Sequence, residues 1–161
     1  MTLEQLNELS ADDAASALRS CCGSTKWVEA MIAARPFRSA NHLLESSDSA
    51  WQSTDAADWH EAFSHHPRIG AQAKGWAASE QSGMQEAQAT VQKALADVNR
   101  EYEQRFGHIY IVCATGRTAG EMLAIARERL HNDPATELRI AADEQHKITQ
   151  LRLRKLLGDT T

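Results

Sequence analysis

The chain has 161 residues, 42% of them hydrophobic and 24% charged, enough for one globular domain with a buried core. A formal net charge of -5 argues against an electrostatic grip on nucleic acid, which needs a clustered basic surface. The longest apolar run, Ile109 to Ala114, is far shorter than the roughly 18 residues of a membrane span, and the N-terminus does not read as a signal peptide.

Helix punctuation recurs along the chain. Thr2-x-x-Gln5 reads as a capping box and Ser10-x-x-Asp13 as its acidic variant, opening two helices in succession. Gly23 is expected to end the second, just after Cys21 and Cys22. A third helix carries Trp27, Val28, Met31 and Ile32 before Arg35-Pro36 stops it. Ser39 and Asp55 open two more, the second with Trp59 and Phe63 one turn apart.

The strongest periodicity follows. Met84, Ala87, Val91, Leu95, Val98, Tyr102 and Phe106 advance by threes and fours, one face of a long helix that Ser82-x-x-Gln85 would cap. Thr118-x-x-Glu121 opens a helix carrying Met122, Ala126 and Leu130. Asp133-Pro134 is an N-cap followed by proline at the first helical position, and the last helix runs toward Leu157 with Gly158 beyond it. The expected architecture is all-α: a single-domain bundle of about seven to nine helices over residues 1–161.

One segment breaks the pattern. His108-Ile109-Tyr110-Ile111-Val112-Cys113 has strand composition, but the chain offers it no strand partner. It reads as a buried extended connector whose unpaired N–H and C=O groups would be open to a ligand. The three cysteines, Cys21, Cys22 and Cys113, make no disulfide framework, which suits a reducing compartment; a cytoplasmic protein is expected. The C-terminal Gly158-Asp159-Thr160-Thr161 is no peroxisomal address.

Seven histidines raise the question of a metal. His60 and His65 bracket a glutamate, but they stand five residues apart and diverge by about 140° around a helix, where a zinc pair needs four. No metal site is expected. His66 differs: it falls at a helix end and is followed by Pro67, Arg68, Ile69 and Gly70. A histidine on such a rigid boundary either answers the helix dipole or serves as an acid–base near neutral pH. Trp76-Ala77-Ala78-Ser79-Glu80-Gln81-Ser82-Gly83 lies at the mouth of the long helix. Glu80 and Gln81 there either form an ordinary polar first turn or bind a urea-like, amide-rich molecule. On the last helix Ile148, Leu151 and Leu156 mark the expected buried stripe, with Arg152 at its edge and Arg154 turned toward solvent. Arg152 either snorkels or holds a carboxylate or carbonyl. Thr115-Gly116-Arg117 reads as a turn leading into the Thr118 cap.

His66-Pro67-Arg68-Ile69-Gly70, Trp76-x-x-x-Glu80-Gln81-Ser82-Gly83, Ile109 to Arg117, and Lys147-Ile148-x-x-Leu151-Arg152-Leu153 occur in this order. In that order they resemble the 2-oxo-4-hydroxy-4-carboxy-5-ureidoimidazoline (OHCU) decarboxylases of urate degradation, in the bacterial form, over essentially residues 1–158. The resemblance implies an all-helical homodimer in purine catabolism that needs no metal or organic cofactor. It implies a small-molecule substrate, OHCU, which loses CO2 to give (S)-allantoin, and neither nucleic acid nor membrane as partner. By the same resemblance His66, Glu80 and Arg152 are catalytic, and Pro67, Gln81 and Ile111 bind substrate. One position departs from the family pattern: Ala77 stands where the family often has serine three residues before the glutamate. Either Ser79 supplies that hydrogen bond or the contact is missing. The alternative from another class is a non-catalytic helical module that binds an allantoin-like ligand.

Overall fold

The structure, a computed structural model, describes residues 1–69 and 89–158. Among these residues it holds eight helices and no strand: α1 (Leu3–Glu8), α2 (Ala11–Arg19), α3 (Thr25–Ala34), α4 (Ala40–Gln52), α5 (Ala56–Phe63), α6 (Ala89–Phe106), α7 (Ala119–Arg129) and α8 (Pro134–Leu156). The all-α expectation is met. Two compact units emerge, Met1–His65 with His146–Thr161, and His66–Gln145.

In the first unit the capping signals act where the sequence places them. Thr2 and Gln5 form a reciprocal capping box, and Ser10 accepts from the Asp13 N–H. Ser39 and Asp55 cap α4 and α5. Each cap is worth about 1 kcal/mol and satisfies a backbone donor that the helix leaves unpaired. Ser24 also caps α3, a start the sequence reading did not identify. The end of α2 is a correction. It stops at Arg19 with Ser20 as C-cap, and Gly23 lies beyond it without the positive φ of a glycine stop. What Gly23 provides is space: a Cβ there would come within 2.5 Å of the His65 ring.

Helix α3 packs against α2, α4 and α5. Its face of Trp27, Val28 and Met31 is buried, and the Trp27 indole donates to Ser47 Oγ at 3.2 Å. The Arg35 guanidinium closes α1 by donating to the carbonyls of Leu6 and Leu9 at 3.1 and 2.8 Å. Glu61 of α5 accepts from both the N–H and the hydroxyl of Thr25, each at 2.7 Å. These bonds hold its carboxyl below the usual range, the backbone bond most of all.

The second unit has a core of Leu95, Val98 and Tyr102 from α6 packed on Met122, Leu123 and Ala126 from α7, with Tyr110 and Val112 of the connector. Val91 and Phe106 border it, so the predicted stripe holds from Val91 onward; Met84, Ala87 and the Ser82/Gln85 cap lie outside the described residues. Arg117 N–H bonds Ala114 O at 3.0 Å across the expected turn, where Gly116 takes φ 77°. Thr118 caps α7, and Asp133 accepts from the Thr136 N–H at the start of α8. Gly158 follows α8 at φ 85°, a left-handed stop that glycine adopts without steric penalty.

Candidate active site

The α5 helix ends at Phe63, and Ser64 N–H and His65 N–H still bond back to His60 and Ala62. His66 is the next residue, half-buried and outside the helix, as the boundary argument expects. Its ring Nε2 lies 2.6 Å from Oε1 of Gln145, a fully buried residue of α8. The chain after His66 is tethered by α6 at two points one turn apart. Asn99 Nδ2 donates to Ile69 O at 2.8 Å, and Arg68 Nε donates to Glu103 Oε1 at 2.7 Å. Ile69 itself is buried in the α6–α7 core. His66 and Pro67 are therefore followed at once by a residue, Ile69, whose carbonyl is held by α6.

Arg152 belongs to the first unit. It is half-buried beside Leu153, which is fully buried, and one turn beyond Ile148. Its charge bears on the Cys22 thiol. Burial pushes that thiol up to about 11, while a bond from Ser24, the Thr149 side chain and the Arg152 charge pull the other way. Arg154 is exposed, so Arg152 is the one of the two that borders buried side chains. The stripe itself needs amendment: Ile148, Thr149 and Leu153 are buried, whereas Leu151 and Leu156 are only half-buried. Glu80, Gln81, Ala77 and Ser79 lie outside the described residues. His60 is exposed with its ring edge-on to Phe63, and His65 is exposed against Gly23.

The connector carrying Ile111 is largely buried and belongs to no helix, but its backbone is not open to a ligand where its bonds are described. Ile111 O accepts from Arg129 Nη1 at 2.7 Å. Cys113 N–H donates to Glu144 Oε1 at 3.3 Å, and Cys113 O accepts from Arg117 Nε at 3.2 Å. Side chains have taken the place of a partner strand, because a buried peptide group without a partner costs about as much as a lost hydrogen bond. Arg129 is itself buried and anchored by Glu137, which is fully enclosed. Arg129 Nε donates to Glu137 Oε1 at 2.6 Å, Tyr102 OH to the same oxygen at 2.5 Å, and Asn132 Nδ2 to Oε2 at 3.0 Å. Burial alone would pull the guanidinium down, but the Glu137 bond and the surrounding groups hold it above its ordinary value. Burial pushes both neighbouring phenols, Tyr102 and Tyr110, well up, and the Glu137 carboxylate adds to this at Tyr102.

The sequence reading missed Gln145, Asn99, Arg129 and Glu137. A usable signal existed for one of them. Gln145 stands four residues after Ala141 and seven after Leu138, a polar side chain at an apolar register of a helix. Among the described residues no group of three His, Cys, Asp or Glu is arranged to hold a metal ion.

The fold and the histidine describe a class: an all-helical protein with a half-buried histidine held on a buried amide. The comparisons give the family. The model of the OHCU decarboxylase family matches residues 7–154, and the chain belongs to that family. It is 37% identical over 148 residues to the Uric acid degradation bifunctional protein of Arabidopsis thaliana, covering 86% of this chain and 46% of that protein. The chain thus spans about half the length of this relative. It is 28% identical over 166 residues to the 2-oxo-4-hydroxy-4-carboxy-5-ureidoimidazoline decarboxylase of Amia calva, covering 98% of this chain and 95% of that one. A crystal structure of OHCU decarboxylase in the presence of (S)-allantoin superposes with a TM-score of 0.80 at 40% identity, covering 88% of this chain and 96% of that chain.

Proposed function

We propose that the chain, acting over residues 1–161 as one catalytic domain, decarboxylates OHCU to (S)-allantoin and CO2 in urate degradation. The observation that carries this reading is the half-buried His66 held on the Gln145 amide, in a chain of the OHCU decarboxylase family. The substrate carries a hydroxyl and a carboxylate on one carbon beside a ring C=N bond. When the bond to CO2 breaks, its electron pair passes into that C=N, so the substrate is its own electron sink. No metal or organic cofactor is required by this route. The protein's tasks are to orient the carboxylate, to move the hydroxyl proton and to direct protonation of the resulting enol to one face. His66 is the acid–base in this scheme, a role worth about 10² to 10⁴-fold in rate. Glu80 and Gln81 bind the ureido and ring N–H groups, Arg152 grips a carboxylate or carbonyl oxygen, and Pro67 and Ile111 shape the apolar wall. The protein acts in the cytoplasm as a homodimer. Its three cysteines, two of them buried, fit a reducing compartment.

The test follows freshly generated substrate by circular dichroism at the (S)-allantoin band, against the slow spontaneous reaction that gives racemate. His66→Asn should nearly abolish stereospecific product, because asparagine can hydrogen-bond but cannot shuttle a proton. His65→Ala should stay within about tenfold of the parent rate, roughly 1.4 kcal/mol in the barrier. Near-normal stereospecific turnover by His66→Asn would remove the histidine from this role. A parent protein that binds allantoin but leaves the spontaneous rate unchanged would make the chain a binding module instead.

A further inference from the structure

We infer that Gln145 is a positioning residue that fixes which ring nitrogen of His66 carries the hydrogen, so that Nδ1 is the nitrogen presented for proton transfer. This rests on the catalytic role of His66 proposed above. An amide oxygen has lone pairs and no hydrogen, so it can only accept. With Gln145 Oε1 at 2.6 Å, the Nε2 of His66 must donate, and the neutral ring is the Nε2–H tautomer with its basic lone pair on Nδ1. The bond is placed to hold. Gln145 is 0% exposed, so water does not compete for its oxygen. It projects from the interior of α8, eleven residues after Pro134, where the helix fixes its backbone. The far side of the histidine segment is pinned separately, by Asn99 on Ile69 O and by Glu103 on Arg68.

The choice of an amide has a chemical consequence. When the ring takes up a proton on Nδ1, the Nε2–H stays on the amide oxygen, whose dipole favours the positive ring. A carboxylate at this position would fix the same tautomer but add a full negative charge and bias the ring toward its protonated form. A neutral acceptor separates the two effects: it selects the nitrogen and leaves the ring able to give the proton back.

The experiment uses the full chain labelled with 15N-histidine, its long-range proton–nitrogen spectrum recorded at a pH where the ring is neutral. The His66 signals are those that vanish in His66→Asn. The parent should show a protonated Nε2 and an unprotonated Nδ1. Gln145→Met, similar in length but with only a weak thioether acceptor, should convert this to a mixture of tautomers, with kcat down about 10- to 100-fold and KM within about threefold. Gln145→Glu, which accepts from the same N–H, should restore the parent tautomer. A hydrogen on Nδ1 in the parent, or an unchanged tautomer in Gln145→Met with only a lower melting temperature, overturns the inference and leaves Gln145 as a packing residue. The spectrum needs no substrate. A chain that fails to decarboxylate would sink the proposed function while the tautomer still decided the role of Gln145.

Discussion

Replacing Arg129 by methionine should be among the most damaging single changes in the second unit. Methionine fills the space of the side-chain stem but removes every donor. In the parent, Arg129 is 6% exposed and Glu137 0%. Its guanidinium makes an ion pair with Glu137 and donates to Ile111 O. Among the described residues, the substitution leaves the buried carboxylate only the Tyr102 hydroxyl and the Asn132 amide as donors, and it removes the Arg129 bond to the Ile111 carbonyl. Breaking a buried pair on one side typically costs about 3–5 kcal/mol, chiefly from the stranded charge. For a chain of this size that corresponds to a fall of roughly 10 °C in melting temperature. Thermal unfolding followed by far-ultraviolet circular dichroism measures it. Combining Arg129→Met with Glu137→Leu should recover part of the loss, because the stranded charge goes with its partner. A single variant that loses less than about 1 kcal/mol, or a double variant worse than the sum of the singles, would refute the reading of this network as a mutually dependent buried pair.

Two further outcomes are expected. Glu61 is held below its ordinary 4.5 by the two Thr25 bonds, so its contribution is fully present above that value and is lost as pH falls through the lower folded value. The stability gap between the parent and Glu61→Gln should therefore be constant near neutrality and close in acid; a gap that widens on acidification would contradict the assignment. Gly23→Ala places a Cβ 2.5 Å from two carbons of the His65 ring and 2.9 Å from its Cβ, so the whole side chain must move. Overpacking of this kind costs about 1–3 kcal/mol, and a melting temperature equal to the parent's would show that the contact gives way freely.

What the sequence revealed of this fold was what is local. Thr2, Ser10, Ser39, Asp55, Thr118 and Asp133 all cap helices because the bond runs between residues three apart, and its partners are visible in one window of sequence. Gly23 was misread for the opposite reason. A glycine after a helical run suggests a stop, but the residue that demands its missing Cβ is His65, forty-two positions away. The connector at 108–113 failed in the same manner. The lack of a second strand-like segment argued against a strand ladder, yet did not show that Arg129, Arg117 and Glu144 would stand in for one.

The site divides along the same line. His66 and Arg152 could be singled out because each sits at a boundary, one at a helix end and one at the edge of an apolar stripe, and boundaries are written in the neighbouring residues. The groups that give His66 its direction carry no such mark. Asn99, Glu103 and Gln145 are ordinary polar helix residues by composition, and a polar residue in a helix reads as solvated by default. Their partners lie between 30 and 79 positions away, so only the folded chain supplies the acceptor or donor each one needs. The exception is instructive. Gln145 occupies an apolar register, and a buried amide is unfavourable unless something answers it. A polar side chain where the helix period calls for an apolar one therefore already implies a specific partner, and in this chain that partner is the histidine to which the chemistry is assigned.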